Sequence, residues 1–275
     1  MRRSNSKKKR RWGFFVVLIL LVGLAATAGL DAIRIVSEYK KEENASEQLR
    51  QFIDLAATQP AQPTTQEPTS PTEGTEITES AGNTPEETKP VSYPVVDFEA
   101  LLAVNDDVVG WIYIPDTNVN YPVVQGTDNR HYAFTMADGR DNAAGSIFMD
   151  YRNTPDFSDK HTVIYGHNMR NGSMFANIVE YKQPEYLAEH PFGMILTPDG
   201  NFQFEVIGGY VAELSDPAWQ LEFAGEEDFL LWLEEAMVRI GIDGGIQPED
   251  RILTLSTCSY EFSEARYVLV CRVLE

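Results

Sequence analysis

The chain contains two cysteines, and Cys258 ends the apolar run "RILTLSTC" among three hydroxyl side chains, Ser256, Thr257 and Ser259. Eight residues later Arg266 opens a second apolar run, "RYVLVCRV". A thiol reacts as its thiolate, and nearby positive charge favours that form. A guanidinium can supply the charge and can also hold a developing oxyanion with rigid donors. Each residue has a plainer role open to it as well. A cysteine at a strand end often packs as a small hydrophobe, and Glu261 and Glu264 offer Arg266 salt-bridge partners. Cys271 lies five positions after Arg266, so strand alternation turns the two to opposite faces and sends Cys271 to the core. A Cys258–Cys271 disulfide would need a matching register between adjacent strands.

A thiol nucleophile also needs a partner that moves protons. Of the four histidines, His131 lies in "TDNRHYA", His161 is read as part of the turn "SDKHTV", and His190 as a cap before Pro191. His167 differs, because it ends the apolar run "TVIYGH" directly before the polar loop "NMRNGS", and Gly166 lets the chain pass close to its neighbours. A structural or surface role for His167 stays open on spacing alone. The cysteines and histidines form none of the short ligand pairs that a zinc site uses. No Gly-rich phosphate loop sits between a strand and a helix. Neither a metal nor another cofactor is expected.

These residues need a scaffold of strand ends. "VVGWIYI", "VNYPVVQG", "AGSIFMD", "HTVIYGH", "FGMILTP", "NFQFEVIGGYVAE", "RILTLSTCS" and "RYVLVCRVL" read as eight short strands separated by Gly, Pro, Asn and Asp signals. Pro122 restricts the second to an edge or a bend. Helical patterns are fewer. Phe98, Leu101, Leu102 and Val104 share one side of a short helix; "NGSMFANIVEYKQPEYLAEH" breaks at Pro184; and "GEEDFLLWLEEAMVRIG" places Phe229, Leu230, Leu233, Ala236, Met237 and Ile240 on one face. The fold class is mainly β, a barrel or sandwich rather than a doubly wound sheet.

The N-terminal third has a different character. Residues 1–11 carry seven Lys or Arg and no acid, and residues 12–30 carry no charge. At about 1.5 Å per residue the second stretch nearly spans a hydrocarbon core of roughly 30 Å. The expectation is a single-pass anchor with a cytoplasmic N-terminus and an extracellular C-terminus. A cleaved signal peptide is the rival, since "AATAGLDA" offers small residues to a peptidase. Residues 31–56 read as a polar, helix-capable neck, and residues 57–90, rich in Thr, Glu and Pro, as a disordered linker. Residues 91–275 are then one folded domain. It holds 30 Asp or Glu against 10 Lys or Arg, which excludes the cationic footprint of a nucleic-acid binder and leaves membrane contact to the anchor.

"TLSTC" at 254–258, Arg266 on the next strand and "YGHN" at 165–168 together resemble the sortases, cysteine transpeptidases of the Gram-positive cell surface. "GWIYIPDTNVNYPVVQGTDNRHYAF", "GHNMRNGSMFANI" and the helix before the penultimate strand are similar to class B in particular. The resemblance implies an eight-stranded sortase barrel with a class B N-terminal helix and that additional helix. It implies Cys258 as nucleophile, His167 as acid or base and Arg266 as the residue that orients substrate and stabilises the oxyanion. Tyr165, Asn129, Ser256 and the adjacent Thr257 would lie along the bound peptide. The implied partners are surface proteins with a C-terminal sorting signal, cut at a Thr carbonyl, and an acceptor amine of peptidoglycan. Ser259, where some class B members carry an acid, and Ala133, where a larger apolar residue often stands, depart from the pattern and leave the motif open. Pilin polymerisation, simple hydrolysis and a noncatalytic surface module are the competing readings.

Overall fold

A computed structural model describes residues 5–60, 92–242 and 245–274. Its centre is a closed barrel of eight strands: β3 (Val108–Tyr113), β4 (Asn120–Val124), β5 (Ile147–Met149), β6 (His161–Tyr165), β7 (Phe192–Leu196), β8 (Asn201–Ala212), β9 (Ile252–Cys258) and β10 (Arg266–Leu274). Around the barrel the order is β10-β8-β7-β3-β4-β5-β6-β9, closing from β9 back to β10. The β4–β5 and β6–β9 pairs are parallel and the others antiparallel. These strands correspond to the eight runs read from the sequence. Pro122 finds a tolerated place because β4 pairs with β5 only from Val123 onward, so its missing N–H leaves no gap in that ladder.

The strands are rich in continuous apolar runs because both faces of the wall are covered. On β10, Tyr267, Leu269 and Cys271 face the barrel core with Ile112, Phe175 and Phe204. Val268 and Val270 face outward, under α4 (Glu226–Ile240), whose Phe229, Trp232, Leu233, Ala236 and Met237 pack with them and with Ile252. Trp232 belongs to this buried face although its position was not among those expected. Three acids in the first turn of α4 oppose its dipole. Gly241 ends the helix in the left-handed conformation, φ 84°, its N–H bonding Met237 O at 2.9 Å. Pro184 separates a 3-10 turn, Ala176–Lys182, from α3 (Pro184–Glu189).

Chain preceding the barrel is attached to it. Helix α1 (Asn5–Arg50) leads into β1 (Ile53–Pro60), which pairs antiparallel with β2 (Ser92–Val96). The short helix α2 (Phe98–Val104) follows, capped by the Asp97 carboxylate on Ala100 N at 3.0 Å. Leu49, Ile53, Tyr93 and Leu101 form a cluster with Trp111, Val124 and Leu196 on the outside of the barrel. Leu101 alone of α2 is buried, whereas Val104, expected on the same side, is exposed. The two-stranded sheet was not anticipated, and residues 57–60, read as the start of the linker, lie in β1. Residues 1–4 and 61–91 lie outside the described residues, and with them the basic segment's first residues and most of the expected linker. One helix near the N-terminus is long and apolar enough to cross a membrane. Its Leu20, Leu21, Val22, Leu24 and Leu30 are all exposed, as an all-round apolar helix requires of a lipid-facing element. The topology is membrane-anchored.

His161 is the clearest departure from the sequence reading. It begins β6 and is buried, with Nδ1 2.6 Å from Gln220 O and Nε2 2.8 Å from Thr254 Oγ1, its ring against Trp232. Burial pushes its pKa down to about 4, so the folded protein holds it neutral. Between pH 6.5 and 4 the unfolded chain binds the extra proton. Stability is therefore fully present above pH 6.5 and falls by about 3 kcal/mol as the pH drops to 4. Denaturant midpoints across this window should show the slope, and His161→Gln should flatten it. A second prediction concerns Gly166, where an added Cβ would lie 2.5 Å from Ile147 Cδ1 and 2.7 Å from the Phe175 ring. Gly166→Ala should cost about 1–3 kcal/mol, read by equilibrium unfolding.

Candidate active site

Strand register brings the chemical residues together. β6 and β9 run side by side with Tyr165 opposite Ser256. Two residues further along each chain stand His167 and Cys258. On the other side of β9, Cys258 lies directly opposite Arg266 in the antiparallel ladder with β10, a position at which side chains share one face. Cys271 lies opposite Leu253 in the same ladder and is fully buried. The two cysteines are both free, and their register positions rule out the disulfide.

Backbone and side-chain bonds lock the strand ends. Gly166 N bonds Ser256 O at 3.1 Å, Thr257 Oγ1 donates to Gly166 O at 2.7 Å, and Asn168 Nδ2 donates to Cys258 O at 3.0 Å. His167 Nε2 lies 2.8 Å from Ala133 O. A carbonyl only accepts, so Nε2 carries a proton and Nδ1 is left for the thiol. The interaction between His167 and Cys258 is the largest influence on both groups. It raises the imidazole pKa and lowers the thiol pKa, overcoming burial, which opposes charge on each. Arg266 adds to the lowering at Cys258. Its Nη1 bonds Ala265 O at 3.1 Å and Glu264 O at 3.3 Å, and its remaining donors have no partner among the described residues. Neither acid read as its alternative partner holds it through a carboxylate: Glu261 pairs instead with Lys182 and Ser259. Cys271 contrasts with Cys258, since burial alone drives its pKa upward.

A groove of roughly 420 Å³ opens over these groups. Asn129, Tyr165, Ser256 and Thr257 line it together with His167, Cys258 and Arg266. Thr257 uses its hydroxyl on the Gly166 carbonyl, while Ser256 Oγ accepts from Trp219 Nε1 at 3.1 Å. Tyr165 packs its ring 5.3 Å from Phe148 and donates from its hydroxyl to Asp150 Oδ2 at 2.9 Å. Phe148, Leu214 and Trp219 are walls that the sequence reading did not identify. Leu214 and Trp219 come from the connection between β8 and α4 and are distant in sequence from every other lining residue. Ala133 joins the site through its carbonyl rather than its side chain.

A family model described as the sortase domain matches residues 112–274. Sortase B of Listeria monocytogenes is 36% identical over 173 residues, 62% of this chain and 70% of the relative. Sortase B of Staphylococcus aureus is 32% identical over 182 residues, 65% of this chain and 75% of the relative. A crystal structure of Clostridium perfringens sortase B superposes with a TM-score of 0.62 at 33% identity, covering 65% of this chain and 100% of that one. The family match runs from within β3 to the end of β10 and takes in the groove and all three strand ends that carry the thiol, the imidazole and the guanidinium, so the chain belongs to the sortase family, in its class B branch of cysteine transpeptidases that recognise a sorting motif and anchor proteins to peptidoglycan.

Proposed function

We propose that Cys258 is the nucleophile of this transpeptidase, His167 its acid and base, and Arg266 the residue that holds the oxyanion. The observation that carries the reading is the convergence of three strand ends on one groove, which Cys258, His167 and Arg266 all line, with Arg266 opposite Cys258 across one ladder position; Cys258 and His167 favour charge on each other. Cys258 sulfur attacks the carbonyl carbon of the Thr in a surface protein's sorting motif. The free donors of Arg266 take the negative oxygen of the tetrahedral intermediate. His167 gives its Nδ1 proton to the departing amine, leaving a thioacyl enzyme. An amine of peptidoglycan then loses a proton to His167 and attacks the thioester, forming an amide and returning the thiolate. Tyr165, Asn129, Ser256 and Thr257 support the peptide along the groove.

The N-terminus lies in the cytoplasm and the barrel outside. The support is the basic stretch at residues 1–11 before the apolar helix. Substrates retained by their own hydrophobic tails meet the enzyme on one surface, which raises their effective concentration.

Cys258→Ala should abolish thioacyl formation on a sorting peptide, read by mass spectrometry, with the fold unchanged by circular dichroism. Turnover by the Cys258→Ala protein would sink the assignment. Arg266→Lys should lose about tenfold or more in kcat/KM, because a point charge does not reproduce the planar fork. Alkylation provides a separate check. Cys258 should react at a lower pH than an ordinary thiol and well before Cys271, and His167→Ala should move its alkylation profile to higher pH. An unmoved profile would assign the low thiol pKa to Arg266 instead.

A further inference from the structure

Beneath the groove lies a carboxylate that none of the thiol chemistry uses. Asp150, just after β5, has a side chain with no solvent exposure. Its Oδ1 accepts from Arg152 Nε at 2.9 Å and Arg152 N at 3.0 Å. Its Oδ2 accepts from Arg152 Nη2 at 2.8 Å, Asn129 Nδ2 at 2.9 Å and the Tyr165 hydroxyl at 2.9 Å. Burial by itself would push the pKa of Asp150 up, but the bonds from Arg152, Asn129 and Tyr165 outweigh it and hold the group below the usual carboxylate range. Arg152 also reaches Trp219 O at 3.4 Å, and Trp219 in turn donates to Ser256. One ion pair thus links groove residues from four separate parts of the chain.

An ionised carboxylate only accepts. Tyr165 must therefore spend its hydroxyl proton on Asp150, and Asn129 must turn its amide nitrogen toward the same oxygen. The Asn129 carbonyl is occupied as well, accepting from Tyr151 N at 3.0 Å. What each residue can still offer to the groove follows by subtraction: Tyr165 offers oxygen lone pairs, and Asn129 offers its second N–H. We propose that Asp150 is the positioning residue that fixes the hydrogen-bonding polarity of the groove, making Tyr165 an acceptor and Asn129 a donor toward the N–H and C=O of a bound peptide. The inference rests on the reading of this groove as the peptide site. Asp150 makes no hydrogen bond to Cys258 or His167, so it acts on how substrate is held and leaves the thiol alone.

An Asn side chain at 150 would reverse this polarity, because its amide nitrogen can donate to the Tyr165 oxygen and free the hydroxyl proton. The experiment measures steady-state kinetics of the full chain with a peptide of the Asn-Pro-x-Thr type, the motif that the class B resemblance implies, and with versions in which single backbone amides are replaced by esters. In the wild type, one ester substitution should be penalised, since the ester lacks the N–H that Tyr165 accepts. In Asp150→Asn, KM for the parent peptide should rise by about tenfold with kcat little changed, the ester penalty should shrink, and the alkylation profile of Cys258 should stay in place. The effects of Asp150→Asn and Tyr165→Phe should also be non-additive. Additive losses, an unchanged ester penalty or a displaced alkylation profile would overturn the proposal and leave Asp150 a packing residue. Tyr165→Phe keeps the carboxylate on its four other bonds, and it carries the test alone if Asp150→Asn does not fold: an ester penalty equal to that of the wild type refutes the proposal, and a reduced one supports it. Absence of any thioacyl adduct on wild-type Cys258 would instead remove the peptide-site reading itself.

Discussion

Pairing register between β6, β9 and β10 decides whether this molecule has chemistry at all. The side-chain period of a strand is two residues, so a slip of one position would turn the Cys258 thiol into the barrel and put the Thr257 side chain in its place beside His167 and Arg266. Packing prevents that slip. Leu253 and Leu255 on β9 and Tyr267, Leu269 and Cys271 on β10 fill the barrel interior, and moving either strand by one residue would exchange them for Thr254, Ser256 and Val268. The polar clamps at the strand ends, from Gly166 N to Ser256 O and from Thr257 Oγ1 to Gly166 O, then hold the reactive ends against fraying. A hydrophobic pattern buried inside the barrel thereby determines the position of a thiol on its outside.

The electrostatics of the site run against those of the chain. The folded region is strongly acidic, yet the titratable and charged groups beside Cys258 are an imidazole and a guanidinium. Half-buried surroundings oppose ionisation of the thiol and the imidazole alike, and each overcomes this through the other. Glu261 could compete for Arg266 across the β9–β10 connection, but Lys182 and the Ser259 hydroxyl hold it.

The sequence made the barrel legible to an unusual degree, because each strand is a short apolar run bounded by turn residues. That Cys258, His167 and Arg266 meet at one groove was legible for a related reason: each stands where an apolar run meets a polar loop. Where the reading failed, the missing information was spatial. His161 looked like a turn residue beside Asp159 and Lys160, and only the packing of α4 over β6 and β9 makes its position a buried one. Leu214 and Trp219 carry no local signal of a groove, since they reach it through a connection whose path depends on α4. Trp232 fell outside the expected face although it stands three residues after Phe229 and four before Ala236, the spacing of one helix side, and its ring also covers His161. The β1–β2 pair was invisible because the residues between its strands have no apolar pattern that would announce a return.

Helix α1 does more than provide apolar length. Ala45 and Leu49 are buried against the domain, Arg50 Nε bonds Asn120 O, and Asn142 Nδ2 bonds Glu38 O. The chain then leaves the small sheet at Pro60 and rejoins it at Ser92. The barrel is accordingly braced on the helix rather than strung from the Thr- and Pro-rich segment, which lies between two paired strands. From residue 31 to residue 50 a helix rises about 30 Å. With its apolar end in a bilayer, such a strut turns reach into altitude: it would hold the groove at a set height above the lipid.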